Sequence, residues 1–187
     1  MKKIKRFAAL LLAGVLALAV FTGCGKTDSS TKLEEKVTDV YAKALGVKAA
    51  EIQLGTKEAA MNKSVLDMIS EDGVLTIDHK TVDAYCSDVV AMLMHTHETT
   101  EDNRNHEVMS FVFINGEPTT DADRTVVPVA TLKPEQVQAI LAGNTNELKI
   151  DKLDFSNTKI NAMGVSVKQL KDGTSCYVMT FDMVYEF

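Results

Sequence analysis

The sequence is short of the residues that mark several protein classes. Among its 187 residues there are no Trp, three Pro, three Cys and ten Gly. Three Cys are too few for a disulfide-dense miniprotein, and the composition also excludes a collagen and a coiled coil. With 25% charged and 45% hydrophobic residues, the composition is that of one ordinary globular domain.

Short motifs that identify common enzyme sites are also missing. The chain has no Gly-x-Ser-x-Gly, no His-Glu-x-x-His and no phosphate-binding glycine loop. Its 26 acidic residues are too frequent for their spacing to select a catalytic pair. We therefore predict no catalytic residue, and an enzyme is the least supported class of function.

The N-terminus has the layout of an export signal. Four basic residues precede an apolar run over 7–21, and about 15 residues are fewer than the roughly 20 that span a membrane. The run ends in FTGCG at 21–25, which resembles the lipobox of bacterial lipoproteins. The resemblance implies cleavage before Cys24, lipidation of its thiol, and a lipid-anchored location on the extracytoplasmic face of the cell membrane.

Processing would divide the chain into a signal peptide at 1–23, a lipidated Cys with its tether at 24–31, and one α+β domain at 32–187. It would leave 16 basic and 26 acidic residues, so the net charge would change from −6 to −10. An acidic surface repels phosphate backbones, so nucleic acid is not an expected partner. The processed chain is expected to contact the membrane through its lipid anchor.

Apolar periodicity predicts the elements of the domain. The first half is predicted to contain helices at 31–45, from Thr56 to about 71, and at 82–93, with a short extended piece at 74–77. The second half is predicted to contain a central strand at 108–114, an extended segment at 124–131 that Pro128 marks as an edge, and a helix at 134–142. Two or three strands then end the chain, at about 147–155, 158–170 and 174–186.

Side chains decide the register of the last hairpin. A three-residue loop at 171–173, with Gly173 in the left-handed conformation, keeps the apolar side chains of both strands together. The predicted cross-strand pairs are Val167 with Tyr177, Val165 with Met179, and Met163 with Phe181. Cys176 then lies opposite Lys168 and away from Cys86, which favours two buried thiols over a disulfide.

Helices first and long antiparallel strands last is the order of an α+β fold. Across residues 31–187 this order resembles the cone-shaped NTF2-like or cystatin-like architecture of many small bacterial lipoproteins. The resemblance implies N-terminal helices packed on a curved antiparallel sheet that encloses a pocket. Some members of that architecture are enzymes, and many only bind ligands or partners.

Methionine content gives one candidate binding site. Flexible Met side chains adapt to irregular apolar ligands, although they also fill ordinary cores. The candidate lining of an apolar pocket consists of Met109, Phe111, Met163, Met179 and Phe181.

Histidine gives a second candidate, because all four His residues lie in the region His79–His106. His95, His97 and His106 are candidate ligands for Zn²⁺ or, with nearby Met side chains, for copper. His95 and His97 share a face only on an extended segment. The alternative is a solvated loop beside a helix C-terminus, where a partly positive ring is favourable and no cofactor is bound.

These observations predict a membrane-anchored extracytoplasmic lipoprotein whose domain is a non-catalytic binding or interaction module. Two more specific alternatives are a pocket protein for a small apolar ligand and a metal-handling surface protein that uses the histidine region. Besides the membrane, the expected partner is a protein or a small molecule.

Overall fold

The computed structural model describes residues 28–48, 52, 56–99, 105–153, 155 and 158–185. The predicted signal peptide and Cys24 lie outside these residues, so export and lipidation stay predictions. None of the helices in the described part of the chain is long and apolar enough to cross a membrane.

Three α-helices and eight strands make up the described domain. The helices are α1 (Asp28–Leu45), α2 (Thr56–Asp67) and α3 (Pro134–Leu141), and a turn of 3-10 helix follows at Ile150–Lys152. The strands are β1 (Val74–Asp78), β2 (Asp83–Cys86), β3 (Val90–Thr99), β4 (Asn105–Phe113), β5 (Thr119–Thr120), β6 (Arg124–Pro128), β7 (Thr158–Gln169) and β8 (Ser175–Tyr185).

The strands form two antiparallel sheets, which confirms the predicted α+β class. The larger sheet has the order β2-β3-β4-β8-β7, and the smaller has the order β1-β6-β5. Strand β4 lies in the middle of the larger sheet, as its apolar residues on both faces predict. The NTF2-like assignment within this class stays a prediction.

The predicted helix at 82–93 is wrong, because this segment forms the hairpin of β2 and β3. Its turn is held by Ser87, whose Oγ accepts hydrogen bonds from the backbone N–H groups of Val89 at 3.2 Å and Val90 at 3.0 Å. A hydroxyl that bonds its own backbone in this way competes with a helix, and the two β-branched residues favour a strand.

Two smaller predictions are also wrong. The described residues of 147–155 contain a 3-10 turn instead of the predicted strand. Pro128 pairs with Val74 at the end of β6, which is the middle strand of the smaller sheet and not an edge.

The last hairpin confirms its predicted register. Val167, Val165 and Met163 lie opposite Tyr177, Met179 and Phe181, and Lys168 lies opposite Cys176. Gly173 has a φ of 85°, the left-handed conformation that the three-residue loop requires.

The larger sheet has two chemically different faces, because side chains alternate along each strand. What we call the methionine face carries Met92, Met94, Met109, Phe111, Met163, Met179, Phe181 and Met183. The opposite face, here called the serine face, carries Ala91, Leu93, Ser110, Val112, Cys176, Val178 and Thr180.

Helix α1 covers the methionine face over β7 and β8. Its buried residues Leu33, Val37 and Tyr41 recur every four positions, so they form one stripe that packs into the same core as Met163, Met179 and Phe181. Glu34 is buried beside this stripe, and its Oε1 accepts a hydrogen bond of 2.9 Å from the backbone N–H of Val167. This bond joins α1 to the edge strand β7.

Helix α2 and the smaller sheet cover the serine face. Val65 of α2 and Ile69, which follows the helix, share a buried core with Leu75, Ile77 and Val127 of the smaller sheet and with Leu93, Val112 and Val178 of the larger sheet. Lys168 anchors the end of α2, since its Nζ donates to the carbonyl oxygens of Leu66 at 3.0 Å and of Ile69. A cation at this helix end also complements the helix dipole.

Candidate functional site

A groove crosses the part of the methionine face over β2, β3 and β4. It has a volume of about 490 Å³, and we call it the methionine groove. Its lining consists of Asp83, Ala84, Tyr85, Met92, Met94, Glu107, Met109 and Tyr185. Tyr85 is 64% exposed, whereas Met109 is only 8% exposed, so the groove runs from the surface to the edge of the core.

Phe155 marks where the covered half of the methionine face ends. Its ring lies 4.8 Å from the ring of Phe181 and 5.7 Å from the ring of Phe111, measured between centroids. A second cavity of about 350 Å³ adjoins the groove beside Phe155 and shares Met92 and Met109 with it. The two cavities therefore form one apolar depression along β3 and β4.

Strand register explains why the three Met side chains meet in the groove. Met94 lies directly opposite Met109, and Met92 lies two residues from Met94 on the same face of β3. Directly opposite side chains in an antiparallel pair have Cβ atoms about 5 Å apart. Asp83 lies opposite Met94 on its other side, and Tyr85 lies opposite Met92.

A buried carboxylate gives the groove a polar end. Glu107 is 7% exposed, and its Oε1 lies 2.8 Å from Nδ1 of His97. Burial, reinforced by the charge of Glu107 and a hydrogen bond to it, raises the pKa of Tyr185 to about 12. The Tyr185 hydroxyl therefore stays protonated and donates to Glu107, which fixes the carboxylate at the side of the methionines.

The five predicted pocket residues separate into two groups. Met109 and Phe111 line the depression. Met163, Met179 and Phe181 lie on the same face but are completely buried under α1. The structure thus places the cavity nearer the β2 side of the sheet than the sequence predicts.

The three predicted histidine ligands lie apart. The register shifts between Met94 and Thr96, so His95 and His97 do not share a face. His95 bonds Ser110 at 2.7 Å, whereas His106 bonds Asp182 at 2.9 Å. In the part of the chain that the structure describes, no group of three His, Cys, Asp or Glu side chains is arranged to hold a metal ion.

The serine face contains a chain of hydrogen-bonded side chains that no sequence motif predicts. The Thr180 hydroxyl donates to Oδ1 of Asn62 at 2.6 Å, and Nδ2 of Asn62 reaches the carbonyl oxygen of Gly164 at 3.4 Å. The hydroxyl of Ser110 lies 2.6 Å from that of Thr180, and Nε2 of His95 lies 2.7 Å from Ser110.

The single hydrogen on each hydroxyl fixes the direction of the hydrogen bonds in this chain. A hydroxyl has one hydrogen, and Thr180 gives its hydrogen to Asn62, so Ser110 donates to Thr180. Ser110 must then accept from Nε2–H of His95. Burial lowers the pKa of His95, which favours its neutral ring. A ring nitrogen that already carries a hydrogen does not act as the base for Ser110, and Ser110 is fully buried. The pair is structural.

Both described cysteines are free. They contribute to the core under the serine face, Cys176 as a buried residue and Cys86 as a partly exposed one. The prediction that they face opposite sides of the sheet is wrong, because it rests on the helix that is the β2–β3 hairpin.

Several groove residues are absent from the sequence prediction. A helix at 82–93 separates Met92 from Met94, whereas a strand aligns them. The continuous apolar run from Val89 to Met94, which begins with two β-branched residues, is the signal that is consistent with a buried strand.

Comparisons with protein-family models, with curated proteins and with solved structures find no match to this chain.

Proposed function

We propose that this protein is a lipid-anchored, non-catalytic binding protein of the extracytoplasmic membrane face, and that it takes a small apolar ligand into the methionine groove. One observation carries the proposal: Met92, Met94 and Met109 line a cavity of about 490 Å³ on a face whose other half is sealed core. Predominantly apolar concavities with a few polar groups are the usual form of small-molecule sites.

The side chains that line the groove favour small ligands of irregular shape over a single ligand of fixed shape. Three unbranched thioether side chains adjust to irregular apolar surfaces. Tyr85 and Tyr185, on opposite sides of the methionines, offer ring faces with a polar tip. Glu107 supplies one fixed acceptor that can orient a polar group of the ligand.

Binding of a neutral solvatochromic dye tests the groove. Tyr85→Glu adds a charge to an exposed position in the apolar lining, and we expect dye affinity to fall about tenfold or more, which corresponds to about 1.4 kcal/mol. Val126→Glu is the matched control, because Val126 is a 38% exposed apolar residue of the smaller sheet. Equal affinity of the two variants, or no dye binding by the unmodified protein, would contradict the proposal.

Fractionation of cells tests the anchor. Cys24→Ser removes the thiol that the lipobox resemblance marks for lipidation. We expect the variant to appear in the medium or as an unprocessed precursor. Membrane retention at the mature size would contradict the lipid anchor while leaving the groove proposal standing.

A further inference from the structure

The geometry points to a second ligand for the methionine groove: one Cu(I) ion held by the thioether sulfurs of Met92, Met94 and Met109. This site differs from the predicted histidine site, since His95 and His106 bond elsewhere and His97 bonds the carboxylate of Glu107. It goes beyond the proposed apolar ligand, because it depends on sulfur and not on apolar volume.

Register brings the three sulfurs within reach of one point. Met94 and Met109 are direct cross-strand partners, and Met92 is the diagonal neighbour of Met109. Diagonal neighbours lie about 7–8 Å apart in a sheet, and three rotatable bonds let each Met side chain close that gap. All three residues line the same cavity.

Ligand chemistry selects the ion. Thioethers are soft, neutral ligands that select Cu(I), whereas Ca²⁺ prefers oxygen ligands and Zn²⁺ binds thiolate, imidazole and carboxylate. Asp83 and Glu107 lie in the lining of the methionine groove, and the adjoining cavity adds one acidic and one basic residue, Asp88 and Lys152. The acidic side chains of Asp83 and Glu107 make the groove favourable for a cation.

Buried methionines of the same sheet face provide an internal contrast. Met163, Met179 and Met183 are completely enclosed and act as core residues. Met92 and Met94 are only half-buried, although Leu would fill an apolar groove equally well. A metal ion can reach the half-buried residues of the groove but not the enclosed methionines.

Anaerobic titration with Cu(I), in competition with a chromogenic Cu(I) chelator and with ascorbate as reductant, tests the site. We expect one ion to bind per chain and to be lost in the triple variant Met92→Leu, Met94→Leu, Met109→Leu. Leu keeps the apolar volume, so the same variant should still bind the neutral dye. The matched control Met163→Leu, Met179→Leu changes covered sulfurs and should bind Cu(I) as the unmodified protein does.

Two further measurements complete the test of the Cu(I) site. Cys86→Ala should retain Cu(I) binding, because Cys86 contributes to the core under the serine face. Zn²⁺ should not compete for the site. No binding by the folded unmodified protein, unchanged binding by the triple variant, or loss of binding in Cys86→Ala would each overturn the inference.

Discussion

The two faces of the larger sheet are built from the same strands but differ in how completely they are covered. The serine face is closed by α2 and the smaller sheet, and among the described residues no buried side-chain polar atom lacks a hydrogen-bond partner. The methionine face is closed over β7 and β8 but open over β3 and β4. The larger sheet therefore has a groove on the part of the methionine face that α1 does not cover.

The largest predicted change in the free energy of unfolding comes from comparing the covered half of the methionine face with its open half. Met179→Ala creates a cavity in the covered half, and we expect a loss of about 2–5 kcal/mol in the free energy of unfolding. Met92→Ala widens a groove that solvent already reaches, so its cost should be below about 1 kcal/mol. Urea unfolding measures both, and equal losses would mean that the face is sealed throughout.

Breaking the hydrogen-bonded chain tests how tightly the serine face is closed. Thr180→Val leaves the Asn62 and Ser110 side chains without this partner, and we expect it to cost about 1–3 kcal/mol. Thr76→Val makes the same change at an exposed position of β1 and should be close to neutral. If the Thr180 variant matches its control, water replaces the lost partner and the face is not closed.

Acid should weaken the serine face through His95. Burial lowers its pKa in the folded protein, so the unfolded chain binds more protons once the pH falls below about 6.5. The free energy of unfolding should therefore decrease as the pH falls from that value toward the lower folded-state pKa. His95→Gln should unfold with a shallower acid dependence, and identical pH profiles would show that His95 titrates normally.

The reactivity of the two thiols reports where the closed part of the serine face ends. This measurement does not depend on a change in the stability of the protein. Burial raises the pKa of Cys176 to about 11 and also raises the pKa of the partly exposed Cys86. Because the thiolate is the reactive form, we expect iodoacetamide to modify Cys86 first and Cys176 only on unfolding. Peptide mass spectra over time measure the order, and the reverse order would place the boundary elsewhere.

Sequence patterns predict the fold where one periodicity dominates. The hairpin of β7 and β8 follows from its long alternation and from Gly173, and α1 follows from apolar residues that recur every three or four positions. At 82–93 the spacing of Val82, Tyr85, Cys86, Val89 and Val90 also fits a helix, so periodicity alone misleads.

The groove could be predicted only in part, since it depends on which residues another element covers. Met109 and Met179 look alike in the sequence, and the positions of α1 and Phe155 decide that one lines a cavity and the other fills a core. The register shift after Met94 likewise separates His95 from His97, although their spacing places them together on a regular strand.

The methyl spectrum of protein labelled with ¹³C-methyl methionine, recorded while the neutral dye is added, tests the open half of the methionine face most directly. We expect the signals of Met92, Met94 and Met109 to shift together while those of Met163, Met179 and Met183 stay in place. Shifts of the covered methionines with unchanged groove signals would contradict the assignment of the groove as the binding site.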